Sequence, residues 1–118
     1  MVNVRLIEVS VEQRRKGLGF SKFGTAGTRW CATVALSLYD EESKHPVAEW
    51  FYLMVCSGSY LKRPLIGVPV WDEKYLFIQD AFDLGEIEVE ARRRLANVHA
   101  KDWQDFYSQM KGYFLHED

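Results

Sequence analysis

The chain has 118 residues, 47% of them hydrophobic and 27% charged, and carries a formal net charge of -2. This length suits one domain, residues 1–118, which buries about two-thirds of its unfolded surface and so needs no staple of disulfide or metal. No run approaches the ~18 uninterrupted apolar residues of a membrane span, and the charge balance excludes the all-round basic surface that grips nucleic acid.

The charge is unevenly spread. Residues 1–70 hold 9 Lys/Arg against 6 Asp/Glu, whereas residues 71–118 hold 6 against 11. The acidic second part is suited to meet something basic. The opening segment, Met1 to Glu8, has no basic region followed by an apolar run, so a signal peptide is not expected and a cytoplasmic location is.

Val2 to Val11 reads as a strand, with Val2, Val4 and Leu6 on one face and Ile7, Val9 and Val11 on the other. A Gly/Arg-rich connection follows at 12–28. Its Gly17-Leu18-Gly19 misses the dinucleotide fingerprint, because the next glycine stands at 24 rather than 22 and no helical pattern follows. Arg29 to Tyr39 alternates strongly and predicts a strand with Trp30, Ala32, Val34, Leu36 and Leu38 on one face. Asp40 to Pro46 is polar and ends in proline, as a hairpin connection does.

Val47 to Cys56 is apolar on both faces, which predicts an interior strand covered from both sides. Ser57, Gly58 and Ser59 break it. Pro64 and Pro69 then make an irregular edge segment of the stretch up to Val70. Tyr75 to Asp80 is the fourth predicted strand.

Two amphipathic helices follow. Asp83 with Glu86 three residues later has the form of a capping box, and Leu84, Ile87, Ala91, Leu95 and Val98 make an apolar stripe. Glu88 with Arg92 and Glu90 with Arg94 are i,i+4 pairs in the favourable order, each expected to contribute about 0.3–0.5 kcal/mol. The second helix opens at Lys101 and Asp102 and stripes Trp103, Phe106, Met110 and Phe114 along one side. The chain closes on an acidic tail, Phe114 to Asp118.

The chemistry of a reaction site is not visible. Cys31 and Cys56 each sit within an apolar strand pattern and read as buried thiols of a reducing compartment. With His45, His99 and His116 scattered, they match no zinc spacing and no nucleophile–base arrangement, so no catalytic residue, metal ligand or cofactor is expected. Asp72-Glu73-Lys74 has the Asp-x-Lys spacing of metal-dependent nucleases, but no second acidic ligand marks itself upstream.

The order of features over Phe51 to Leu61 and Leu76 to Asp118 is distinctive. An apolar strand ends in a Cys/Ser turn and Tyr60-Leu61, Leu76 to Asp83 leads into a helix, and a second helix opens on Asp102-Trp103 and closes on Tyr113 to Asp118. This order resembles immunity protein family 8 of bacterial polymorphic toxin systems, which includes immunity proteins of contact-dependent growth inhibition. The resemblance implies a protein without catalytic activity that binds and neutralises the C-terminal domain of a cognate toxin, with a nuclease, including a tRNase, as the expected toxin class. It implies no nucleic-acid, membrane or small-molecule partner. Under it the candidate toxin contacts are Asp72, Glu73, Asp80, Glu86, Glu117 and Asp118. A regulatory or scaffold domain with a self-interface, and a metal-dependent nuclease using Asp72, Glu73 and Lys74, are the competing readings.

The expected fold is α+β: about four strands in a mostly antiparallel sheet, with two C-terminal helices packed on one face. The expected core is Trp30, Val34, Leu36, Phe51, Leu53, Leu76, Ile78, Ile87, Leu95, Trp103, Phe106 and Met110.

Overall fold

The computed structural model describes residues 1–11, 30–62 and 72–117. The Gly/Arg-rich connection at 12–28 and the Pro64 and Pro69 stretch therefore lie outside the described residues. Within them the sheet runs in the order β1 (Val4–Val11), β2 (Cys31–Asp40), β4 (Trp50–Cys56), β5 (Leu76–Ile78). Two short strands complete it: β3 (His45–Pro46) pairs with β2, and β6 (Leu115–Glu117) pairs with β4. All pairs are antiparallel except β4 with β5, which is parallel. The helices are α1 (Gly58–Lys62), α2 (Leu84–Leu95) and α3 (Trp103–Met110).

The expected α+β architecture is the observed one, and its cause lies in the two faces of β2 and β4. Ala32, Val34, Leu36 and Leu38 of β2 and Phe51, Leu53 and Val55 of β4 share one face, where they are buried with Ile87 and Ala91 of α2 and Phe106 and Met110 of α3. The opposite face buries Cys31, Ala35, Tyr52, Met54 and Cys56 together with Tyr60 of α1. With apolar residues on both faces and neighbours on both edges, β4 is the interior strand that its composition predicted. At about 25 cal/mol per Å² of apolar surface removed from water, burying one side chain such as Leu53 or Phe51 stabilises by roughly 1.5–3 kcal/mol.

Local chemistry places the ends. Asp40 closes the turn after β2 by accepting from the Ser43 hydroxyl at 2.7 Å and the Glu42 amide at 3.0 Å, while Lys44 takes the left-handed φ of 62° that the tight reversal needs. Asp83 caps α2 by accepting from the Glu86 amide, and Asp102 caps α3 by accepting from the Asp105 amide.

Four details differ from the sequence-based expectation. A bulge between Leu6 and Glu8 shifts the register of β1 on β2, so Leu6 and Val9 point into the same core and Ile7 is left 45% exposed. The segment after Cys56 is not a simple break. The Ser57 hydroxyl accepts from the Tyr60 amide at 3.2 Å and from the Trp30 amide at 3.1 Å, starting α1 and tying it to β2. The fourth predicted strand shrinks to three residues, with Phe77 packed towards the helices, Leu76 towards the second face and Ile78, expected in the core, 52% exposed. The acidic tail is a strand: Leu115, His116 and Glu117 pair with Tyr52, Phe51 and Trp50. There His116 stacks on Phe51 at 4.7 Å and on Tyr107 at 5.3 Å.

Cys31 and Cys56 are register partners across β2 and β4, and both are buried thiols not joined by a disulfide. Burial, with the neighbouring Cys31, pushes the Cys56 thiol up from 9.0 to about 11. Two results are expected. A thiol-specific disulfide reagent at neutral pH labels neither cysteine in the native protein, and both in denaturant. Because the raised folded value favours the protonated thiol, its stabilisation is complete below pH 9 and is lost as the pH rises towards 11. The urea midpoint therefore falls over that range in the wild type and falls less in Cys56→Val; equal losses in both proteins would refute this account.

Candidate functional site

The strand β5, the loop 79–83 and the start of α2 form one rigid corner. Arg94 of α2 donates from Nη1 to the carbonyls of Lys74 and Tyr113, both at 2.9 Å, and from Nη2 to the Leu76 carbonyl at 2.8 Å. One guanidinium thus fixes α2 against the outer side of β5, a geometry suited to its planar fork of donors. The loop is closed by Gln79, which is buried. Its Nε2 donates to the Asp83 carbonyl at 3.1 Å, and its Oε1 accepts from the Asp83 amide at 3.2 Å. Phe82 anchors the same loop by packing edge-on to Trp30 at 5.9 Å.

The corner encloses a cleft of about 700 Å³. Its floor is Gln79 and Phe82; its charged walls are Asp80, Asp83 and Glu86. Among the described residues, no lysine or arginine lines it. Ile78 and Leu84, 52% and 39% exposed, sit on the rim. Asp83 is engaged as a helix cap, whereas Asp80 and Glu86 extend into solvent. The first turn of α2, which holds Glu86, favours a carboxylate through the helix dipole. The result is a preorganised, negatively charged concavity with two exposed aliphatic side chains. Its form suits recognition of a basic protein segment with an apolar anchor.

The candidate contacts do not all gather there. Asp80 and Glu86 come together. Asp72 and Glu73 lie at the other end of β5, in a 3-10 turn (Glu73–Tyr75), where the Asp72 carboxylate accepts from the Lys74 amide at 3.1 Å. The Lys74 ammonium stands 5.2 Å over the Tyr75 ring. Asp72 is thereby occupied as a cap. Glu117 pairs with Trp50 along β4, and Asp118 lies outside the described residues. Among the described residues, no group of three or more His, Cys, Asp and Glu is placed to hold a metal ion, and no helix is long and apolar enough to cross a membrane.

Sequence reasoning missed Ile78, Leu84 and Gln79 as parts of this site. Ile78 and Leu84 each continued an apolar pattern and so read as core. The signal that separates them is the shortness of β5, which ends before a second layer covers Ile78.

The family model described as Immunity protein 8 matches residues 14–117. No curated protein matches the chain, and no solved structure does.

Proposed function

The chain belongs to the Immunity protein 8 family, and from that premise we propose that it neutralises one cognate toxin by stoichiometric binding, with no reaction of its own. The toxin is the C-terminal domain of a polymorphic toxin, in the setting of contact-dependent growth inhibition, and the complex forms in the cytoplasm. A nuclease, including a tRNase, is the toxin class that fits best, because an enzyme that grips nucleic acid presents a basic cleft. An acidic inhibitor meets such a surface quickly and excludes the polyanionic substrate.

The observation that carries the reading is the cleft between β5 and α2, where Asp80 and Glu86 face outward with no lining cation among the described residues, beside the exposed Ile78 and Leu84. Asp72, Glu73, Glu117 and Asp118 are the further toxin contacts of this reading. The protein needs no cofactor, membrane or small molecule for this role.

The test is co-expression. Cells producing the toxin domain encoded beside this chain survive when they also make the chain, and the two proteins co-purify at a ratio of one to one. Cell death at equal expression, or turnover of nucleic acid by the chain alone, would remove the proposal.

A further inference from the structure

The opposite end of the sheet carries a second concavity, built around Trp103. This residue was expected in the core and is only half-buried. Its indole is held edge-on to Phe106 at 5.2 Å and tilted against Tyr107 at 5.8 Å. It lines a cleft of about 300 Å³ together with Val2, Asp40, Glu42 and Asp102. It also lines a groove of about 150 Å³ formed by Pro46, Val47, Ala48, Glu49 and Tyr107, again with Asp40. Asp40 is common to both and is 8% exposed. Its carboxylate accepts from the Ser43 hydroxyl and the Glu42 amide, and these, with the nearby His45, hold it below the usual carboxylate range. It adds negative charge to both hollows. Among the described residues, Lys101 is the one lysine or arginine lining either hollow.

An aromatic ring that lines a hollow, with apolar walls and carboxylates around it, is the chemistry that receives a lysine or arginine side chain: the aliphatic stem packs on the ring and the charged head meets the acids.

We propose that the Trp103 groove is a second contact point for the toxin domain, taking a lysine or arginine side chain from a basic segment distinct from the one that meets Asp80 and Glu86. This rests on the toxin-binding reading above. The probe is the catalytically inactivated toxin domain encoded beside this chain, titrated by calorimetry into wild type, Trp103→Ala, the double variant Glu42→Lys/Glu49→Lys, and the control Glu8→Lys on β1. Thermal melts accompany each titration. The rim acids Glu42 and Glu49 hold no part of the core, so the double variant tests the groove even if Trp103→Ala unfolds. The expected result is at least tenfold weaker binding for Glu42→Lys/Glu49→Lys at an unchanged melting temperature, with Glu8→Lys within twofold of wild type. Tight binding by wild type that the double variant retains overturns this inference alone. No binding by wild type overturns the toxin reading and this inference with it. A self-association seen by sedimentation that the double variant abolishes, with toxin affinity unchanged, assigns the groove to a second copy of the chain and likewise overturns it.

Discussion

Replacing Arg94 by methionine is expected to lower the unfolding free energy by about 3–5 kcal/mol, the range for removing one partner of a buried ion pair. Methionine keeps the apolar stem and removes every donor. Four contacts go at once: Glu90 Oε2 at 2.7 Å and the carbonyls of Lys74, Leu76 and Tyr113. Glu90 retains Arg93, which donates to both its oxygens at 2.7 and 2.8 Å, so the carboxylate is the lesser loss. The three carbonyls are the greater one, since each loses its charged donor and any water that replaces it must enter the corner between α2 and β5. A drop of more than 10 °C in melting temperature is the expected reading. Lysine at 94 recovers less than half, because an ammonium cannot match the fork of a guanidinium across separate acceptors.

The pH dependence follows from Glu90. Burial alone would raise its carboxyl, but the hydrogen bonds and charges of Arg93 and Arg94 outweigh burial and hold it below its ordinary value of 4.5. Stability from this group is present above pH 4.5 and is lost as the pH falls below it. The gap between wild type and Arg94→Met therefore narrows in acid. A gap that stays constant down to pH 3 would show that the carbonyls, and not Glu90, carry the whole effect.

Arg94 also marks how far this fold can be read from residues alone. The spacing Glu90 to Arg94 identified an i,i+4 pair, and the pair exists. Spacing assigns such a pair to the surface, with a few tenths of a kcal/mol. The side chains are instead 11% and 12% exposed, because β5 and the chain around Tyr113 close over them. That closure depends on contacts 18 to 20 residues away in sequence, which no local pattern encodes. The same division runs through the chain. Elements with six or more residues of clean periodicity, such as β2, β4 and α2, were legible with both faces assigned. The short ones, α1, β5 and β6, were misread or missed, since their stability comes from the neighbour they dock on rather than from a repeat of their own. The segment 115–117 shows this well: it reads as part of an acidic tail, yet Leu115 and His116 pack inward once β4 offers an open edge. For the candidate site, the acids were legible as acids. Their grouping was not, because Asp80 and Glu86 meet only through the turn that Gln79 closes.

Reversing both outward acids of that cleft, Asp80→Lys with Glu86→Lys, is expected to weaken binding of the cognate toxin domain at least 100-fold and to abolish protection of the cell. Placing like charges opposite a basic surface costs several kcal/mol, and each 1.4 kcal/mol is a factor of ten in affinity. The fold should survive. Asp80 is exposed, and Glu86 contributes to the first turn of α2 chiefly through its backbone amide, which donates to Asp83 whatever the side chain. The lost helix-dipole contribution is about 0.3–1 kcal/mol, a shift of a few degrees in melting temperature. The neutral pair Asp80→Asn/Glu86→Gln separates steering from contact. It should slow association and flatten its dependence on salt between 50 and 500 mM, over which the screening length falls from roughly 14 to 4 Å, while dissociation changes little. Ile78→Ser should do the converse, raising the dissociation rate and leaving the salt dependence alone, because an anchoring contact acts after encounter. Those opposite kinetic signatures are what a cleft that combines field and anchor must produce. If the lysine pair binds the toxin as wild type does, the contact surface lies elsewhere on the chain.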